Sequence, residues 1–269
     1  MPDRATAPEL RHTAGDLVQI GAAEVLRWFG KVTASRKADS TPVTAADHAS
    51  QEAILYHVGQ RFPRDAVLVE EEIARPRRHS ALAGAERVWI VDPLDGTRNF
   101  ARGVNVFAVS VAAMEAGRPV AGAIYDATSG LVYSASKEEG AFCNEQPMQM
   151  PPRQIEQDAT IALSSFRKRT TPPAVTAWMR RFLFRNHGSV ALHLAWVAAG
   201  LLEAAYSLEC KLWDIAAGAL LVEAAGGLVT DGDGRPRWPV DVVNYADEDL
   251  PTLAAMPAMH AELLSIART

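Results

Sequence analysis

Cysteine is scarce in this chain. Only two occur among 269 residues, Cys143 and Cys210, and they lie far apart without a C-x-x-C spacing. Such usage argues against a disulfide framework and favours a reducing compartment. No uninterrupted apolar run approaches the roughly 20 residues that cross a bilayer, and the first residues, MPDRATAPEL, lack the apolar core of a signal peptide. We therefore expect a cytoplasmic protein with no membrane partner.

An excess of positive charge is also lacking. Lys and Arg number 27 against 32 Asp and Glu, so the formal net charge is −5. A duplex nucleic-acid binder usually carries a basic face, and none is indicated here. A small anionic substrate stays compatible with this charge, because a metal ion brings its own positive charge. The sequence also contains neither an H-E-x-x-H zinc motif nor a G-x-S-x-G elbow.

The periodicity of the apolar residues predicts two different halves. Helices are expected over residues 13–30 and 45–61, and the strand-like runs that follow, from AVLV to GAFCN, are spaced as in an antiparallel meander. The segment MPPRQIEQD reads as a linker. After it, the strand-like TIALSSF precedes helical patterns in SVALHLAWVAAGLLEAAY and WDIAAGALLVEAAGG. We predict an N-terminal α+β half over 1–145 and a C-terminal α/β half over 146–269.

Two aspartates, Asp92 and Asp95, end an apolar run in VWIVDPLDGTRNF. Taken alone, the D-P-x-D-G pattern is equally well explained as a turn, because Asp, Pro and Gly are turn residues. Asp47 and Asp214 stand at predicted helix starts, where an aspartate commonly caps free N–H groups. Each acid therefore has a structural explanation of its own.

Taken together, these acids favour a metal site. Carboxylates that converge at the ends of strands and helices repel one another unless a cation neutralises them. Hard oxygen ligands of this kind suit Mg²⁺, which also accepts water and phosphate oxygens. Two such ions about 4 Å apart form the usual clamp for in-line attack at phosphorus. Gly96 lets the backbone approach a ligand closely, and N–H groups at such a turn can cradle a phosphate.

Four motifs together resemble the inositol monophosphatase superfamily, in the order and spacing of that family. They are VDPLDGTRNF, VEEE at 69–72, TPVTAAD at 41–47 and LWDIAAGALLVEAAGG at 212–227. The resemblance covers essentially the whole chain. It implies a layered αβαβα sandwich and a Mg²⁺-dependent, lithium-sensitive phosphomonoesterase that uses two or three ions and forms a homodimer.

The resemblance also implies a set of site residues. The metal ligands would be Glu70, Asp92, the carbonyl of Leu94, Asp95 and Asp214. Glu70 and Thr97 would activate the attacking water, and Asp47 would serve as a further catalytic acid near a third metal position, with Thr44 close to it. The register among the three glutamates makes Glu71 a further candidate. The residues implied for substrate binding are Asp95, Gly96, Thr97, Gly188, Ser189, Val190, Ser207 and Asp214.

Ser207 departs from the family pattern. Inositol-specific members carry a glutamate at this position, seven residues before the aspartate of the Trp-Asp pair, and that glutamate reaches sugar hydroxyls. We therefore expect a poorly selective enzyme for a small phosphorylated polyol, sugar or nucleotide, with inositol-1-phosphate as the first substrate to test. The alternatives are fructose-1,6-bisphosphate, histidinol phosphate and 3′-phosphoadenosine 5′-phosphate. A regulatory member that binds RNA machinery is the alternative of another class.

Overall fold

The structure is a computed structural model that describes residues 5–31, 35–36, 42–70, 82–151, 155–156, 158–166 and 170–267. The helices are α1 (Ala7–Trp28), α2 (Ala45–Arg61), α3 (Thr97–Ala101), α4 (Pro173–Arg181), α5 (Val190–Ala198), α6 (Leu212–Ala224) and α7 (Pro257–Ala267). The strands are β1 (Ser35–Arg36), β2 (Pro42–Val43), β3 (Ala66–Val69), β4 (Arg87–Asp95), β5 (Ala108–Glu115), β6 (Arg118–Asp126), β7 (Leu131–Ser136), β8 (Gly140–Cys143), β9 (Gln146–Met148), β10 (Thr160–Leu163), β11 (Leu183–Arg185), β12 (Ala204–Ser207), β13 (Leu228–Thr230) and β14 (Thr252–Ala255).

A seven-stranded sheet runs in the order β3-β4-β5-β6-β7-β8-β9. The pairs from β4 to β9 are antiparallel, which confirms the predicted meander from VWIV onward. The prediction is wrong for AVLV, because β3 joins β4 in parallel. All nine residues of β4 are buried. The strand is covered on both faces, which is why VWIV is uninterruptedly apolar rather than alternating.

The five-stranded sheet has the order β11-β10-β12-β14-β13, with β10 parallel to both of its neighbours. One strand of it corrects the sequence prediction. The small-residue run SVALHLAWVAAGLLEAAY was predicted as a single helix, but α5 ends at Ala198 and β12 occupies Ala204–Ser207. Gly200 lies between them at φ +69°, a backbone conformation that glycine adopts without penalty. Apolar runs this short do not distinguish helix from strand by periodicity.

Three hydrophobic clusters separate the layers. In the first, α1 and α2 pack on one face of the seven-stranded sheet. In the second, α5 and α6 fill the space between the two sheets. In the third, α4 and α7 cover the outer face of the five-stranded sheet. This sequence of layers is the predicted αβαβα sandwich.

The start of the first helix differs from the prediction, which did not take account of a capping signal at residues 6–9. The first helix, predicted over 13–30, begins at Ala7 because Thr6 and Glu9 form a reciprocal capping box. The second helix runs from Ala45 to Arg61 as predicted.

The division into halves at residue 145 stays a prediction; β9 still belongs to the first sheet. In the described part of the chain, no helix has the length and apolar character of a membrane span.

Candidate active site

The end of β4 carries Asp92 and Asp95 across a β-bulge. Asp92 lies opposite Ser110 of β5, whereas Asp95 lies opposite Ala108, so the register shifts between them. An extra residue of this kind re-aims side chains at the end of a strand. Pro93 lies within the bulge, where its missing N–H costs no ladder bond, and its carbonyl accepts a hydrogen bond of 2.9 Å from the hydroxyl of Ser50.

Glu70 lies beside Asp92 because β3 runs parallel to β4. Val69 stands opposite Val91, so the next residue of each strand is an acid, and the backbone N–H of Glu70 donates to the carbonyl of Val91 at 3.2 Å. The other glutamate candidate, Glu71, lies outside the described residues. The parallel register therefore brings Glu70 and Asp92 to the same edge of the sheet.

Asp47 reaches the same region from the first turn of α2. Its Oδ2 accepts from the backbone N–H of Thr44 at 2.7 Å and from the hydroxyl of Thr44 at 2.6 Å. Its Oδ1 lies 3.2 Å from Oγ1 of Thr97, which also lies 3.0 Å from the carbonyl oxygen of Leu94. Asp47 is fully buried, and burial raises the pKa of its carboxyl. The helix-cap explanation is thus correct, and the same residue also contacts Thr97.

Asp95 connects the two halves of the chain. Its Oδ2 accepts a hydrogen bond of 2.5 Å from the hydroxyl of Ser189 and one of 2.7 Å from the backbone N–H of Ala191, both at the start of α5. Ser189 also caps this helix, because its oxygen accepts from the N–H of Leu192 at 3.2 Å. Burial raises the pKa of Asp95 to about 6, although the bonds from Ser189 and Ala191 act in the opposite direction.

Asp214 lies in the first turn of α6. Its Oδ2 accepts from the backbone N–H of Lys211 at 2.7 Å. The ammonium group of Lys211 turns to a different loop, where it pairs with Asp249 at 2.8 Å and donates to the carbonyl of Asp247. Burial, followed by the charges of Asp95 and Glu70, raises the pKa of Asp214 well above its ordinary value.

The charge balance of this region tests whether Mg²⁺ suits it. Burial raises the pKa of Asp92 well above its ordinary value, and the charges of Glu70, Asp95 and Asp214 raise it further. Carboxylates that repel one another in this way are stabilised by a hard cation. Over the described ranges, no three or more His, Cys, Asp or Glu side chains are arranged as a group that could hold a metal ion. Mg²⁺ does not require such a group, because it is commonly bound through one or two carboxylates together with several waters.

Four of the residues implied for substrate binding lie in the second half of the fold. Gly188, Ser189 and Val190 are at the start of α5, and Ser207 is at the end of β12. Gly188 has φ +79°, and a Cβ on it would lie 2.9 Å from Nδ2 of Asn99. Val190 is half-buried as the first residue of α5. Ser207 is only 5% exposed, and its hydroxyl oxygen lies 2.7 Å from that of Ser164.

Sequence reasoning missed several residues around these positions. Ser164 shares a hydrogen bond with the predicted residue Ser207. Asn99 and His193 bond the backbone of His187, the residue before Gly188. Asn99 belongs to the quoted motif VDPLDGTRNF, which was the available signal. Nothing in the sequence distinguished Ser164 from other strand-end serines. The apolar run around His193 is typical of a packed core histidine, and this side chain is indeed buried, with 2% exposure.

Comparison with known proteins gives a consistent result over the length of the chain. The model of the inositol monophosphatase family matches residues 5–267. The chain is 35% identical to Nus factor SuhB of Pasteurella multocida over 205 residues, which are 74% of each protein. It is also 35% identical to inositol-1-monophosphatase of Mesorhizobium japonicum over 223 residues, 77% of this chain and 80% of that protein.

Solved structures share the fold. The extragenic suppressor protein suhB from Bartonella henselae superposes with a TM-score of 0.83 at 27% identity, covering 96% of this chain and 98% of that one. An IMPase/NADP phosphatase complexed with Mg²⁺ and phosphate superposes with a TM-score of 0.78 at 26% identity, covering 92% and 90%. The fold and the sequence family therefore agree.

Proposed function

Because the chain belongs to the inositol monophosphatase family and is a phosphoric monoester hydrolase, we propose that it hydrolyses a small phosphorylated polyol, sugar or nucleotide with Mg²⁺. The observation that carries this proposal is the grouping of four carboxylates from three segments, the buried Asp92 and Asp95 of β4 with the half-buried Glu70 and Asp214, whose charges raise the pKa of Asp92. A relative with a bound Mg²⁺ and phosphate supports the choice of ion. We propose two or three ions per site.

In this proposal, Mg²⁺ is held by Glu70, Asp92, the carbonyl of Leu94, Asp95 and Asp214. When bound, it supplies positive charge that neutralises these acids and polarises the phosphoryl group. Thr97 can donate a hydrogen bond to Asp47, which leaves its oxygen free to accept a hydrogen bond from the attacking water. Glu70 orients the same water as a proton acceptor. The N–H groups of Gly96 and Thr97 orient the phosphate.

For the substrate, we propose a polyol phosphate recognised with low selectivity. Ser207 and Ser164 already share a hydrogen bond, so this side of the site offers neutral hydroxyls rather than a carboxylate. The remaining candidates are fructose-1,6-bisphosphate, histidinol phosphate and 3′-phosphoadenosine 5′-phosphate.

A phosphate-release assay with Mg²⁺ tests this proposal. Inositol-1-phosphate, glycerol-2-phosphate, a nucleotide monophosphate and the three candidates above are compared by kcat/KM. Turnover of several of these within about tenfold of one another is expected. A preference for inositol-1-phosphate by several hundredfold would contradict low selectivity and leave the phosphatase assignment intact.

A second candidate function, regulation through RNA machinery, is favoured by the relatives named Nus factor SuhB. It is separable from catalysis, because a binding role does not require the acids. A regulatory effect that persists in Asp92→Asn, which lacks one of the proposed ligands, would support it. We also propose a cytoplasmic homodimer, and light scattering at micromolar concentration measures the oligomeric state.

A further inference from the structure

The turn at residues 186–189 determines how the start of α5 meets Asp95. It ends at Ser189, whose hydroxyl bonds Oδ2 of Asp95, and it lies two residues before Ala191, whose N–H bonds the same oxygen. A shift of this turn would therefore displace both donors together. Two side chains, Asn99 and His193, hold the backbone of this turn.

Asn99, on α3, holds the turn by donating a hydrogen bond to a backbone carbonyl of its first residues. Its amide Nδ2 donates one hydrogen bond of 2.7 Å to the carbonyl of His187 and another of 2.7 Å to the carbonyl of Val106. Both amide protons are thereby used. The side chain also packs against Gly188, where an added Cβ would lie 2.9 Å from Nδ2. The contact between Asn99 and the turn thus requires an amide side chain at position 99 and a glycine at position 188.

His193, on α5, holds the turn by accepting a hydrogen bond from a backbone N–H of the turn. The backbone N–H of His187 donates to Nε2 of His193 at 3.1 Å. Nε2 must therefore be unprotonated, so the neutral ring carries its proton on Nδ1. The two imidazoles meet edge to face at 5.3 Å, and the ring of His187 also meets Trp196 at 4.8 Å. Burial lowers the pKa of His193 to about 3, which keeps the acceptor available at neutral pH.

We propose that Asn99 and His193 are positioning residues that clamp the His187 backbone from both sides and thereby hold Ser189 and Ala191 against Asp95. The inference rests on the proposed function, in which Asp95 is a ligand of Mg²⁺. It extends that function to two residues that act through the backbone of the turn and not as ligands of the ion. Partners of metal ligands typically change metal affinity or activity by 10–100-fold when they are removed.

The test measures Mg²⁺ binding directly, by isothermal titration calorimetry, together with the Mg²⁺ concentration that gives half-maximal phosphate release. Asn99→Asp keeps the shape but replaces two donors with a carboxylate facing two carbonyls. His193→Leu removes the acceptor, whereas His193→Gln offers an amide oxygen near the position of Nε2. His260→Leu is the matched control, because His260 is also a buried histidine, on α7, with a bond of 2.8 Å to Thr230.

We expect Asn99→Asp and His193→Leu to weaken Mg²⁺ binding by roughly tenfold or more, with His193→Gln recovering most of the affinity and His260→Leu binding as the wild type does. If both variants bind Mg²⁺ as tightly as His260→Leu while the wild type is Mg²⁺-dependent, the clamp is wrong and the proposed function stands. If the wild type itself binds no Mg²⁺, the proposed function fails first. Should Asn99→Asp not fold, equal Mg²⁺ affinity of the Leu and Gln variants at 193 overturns the clamp by itself.

Discussion

The hydroxyl of Thr97 lies 3.2 Å from Oδ1 of Asp47, a residue fifty positions earlier in the chain. This contact joins the first turn of α2 to the start of α3, just after the two aspartates of β4. The same hydroxyl lies 3.0 Å from the carbonyl of Leu94. A hydroxyl has a single proton, so it can donate to only one of these acceptors at a time.

Replacing Thr97 tests whether this hydroxyl takes part in catalysis. Thr97→Val keeps the branched shape and removes the hydroxyl. We expect kcat to fall by about 100-fold or more, because the attacking water is no longer correctly positioned. Thr97→Ser restores the hydroxyl and should recover most of the rate. Steady-state kinetics at saturating Mg²⁺ measure both, with thermal melting as the control for folding. Equal rates for Val and Ser would remove Thr97 from the mechanism.

Asp92→Asn tests the central carboxylate. It keeps the size of the side chain and removes a charge that repels Glu70, Asp95 and Asp214. We expect loss of most activity, and a metal-free protein that melts no lower than the wild type because the repulsion is reduced. Mg²⁺ should raise the melting temperature of the wild type and raise that of the variant much less. Equal Mg²⁺-induced shifts would show that Asp92 is not a ligand.

The raised pKa of Asp95, about 6, predicts a pH-dependent stability of the metal-free protein. A carboxyl whose pKa is higher in the folded than in the unfolded state stabilises the fold below about pH 4, and this contribution is lost as the pH rises through 6. The difference in melting temperature between wild type and Asp95→Asn in EDTA should therefore shift against the wild type between pH 5 and pH 7.5. The lowered pKa of His193 makes stability rise with pH, which is the opposite dependence. Both proteins contain His193, so this contribution cancels in the difference between their melting temperatures. A difference that is constant across this range would contradict the raised pKa.

Ser207→Glu tests selectivity. A carboxylate there can accept bonds from adjacent ring hydroxyls, and each charge-assisted hydrogen bond contributes about 1.5–3 kcal/mol. We expect the ratio of kcat/KM for inositol-1-phosphate over glycerol-2-phosphate to rise by about tenfold or more. Ser164→Ala is the control, because it removes the partner of Ser207 without adding a charge. An unchanged ratio in Ser207→Glu would show that this position does not face the substrate.

Much of the fold was predictable because the apolar runs and turn residues of many elements indicate a single type of secondary structure. The strands from β4 to β8 follow apolar runs between Gly- and Pro-bearing turns, and α2 begins at the expected helix start. The helix–strand ambiguity of SVALHLAWVAAGLLEAAY required tertiary information, since Ala204 and Ala205 fit a strand only because β10 and β14 flank them. The register of β12 against these two strands could not be obtained from local sequence.

The candidate site divides in the same way. The acids were predictable from residue type and motif spacing, whereas their connections were not. The bond from Ser189 to Asp95 spans 94 positions, and that from Asn99 to the backbone of His187 spans 88. These contacts arise from the packing of α5 between the two sheets, which depends on the whole fold. Sequence patterns therefore predict which groups form a site, and the fold determines how each group is oriented.

The most direct test of the account is a Mg²⁺ titration of phosphate release, starting from protein freed of metal with EDTA and verified by elemental analysis. We expect no turnover without metal, full recovery with added Mg²⁺, and suppression by Ca²⁺, whose longer and less regular coordination does not match the octahedral geometry of Mg²⁺. Asp92→Asn should not recover at any Mg²⁺ concentration that restores the wild type. Full turnover of the verified metal-free protein would contradict the account.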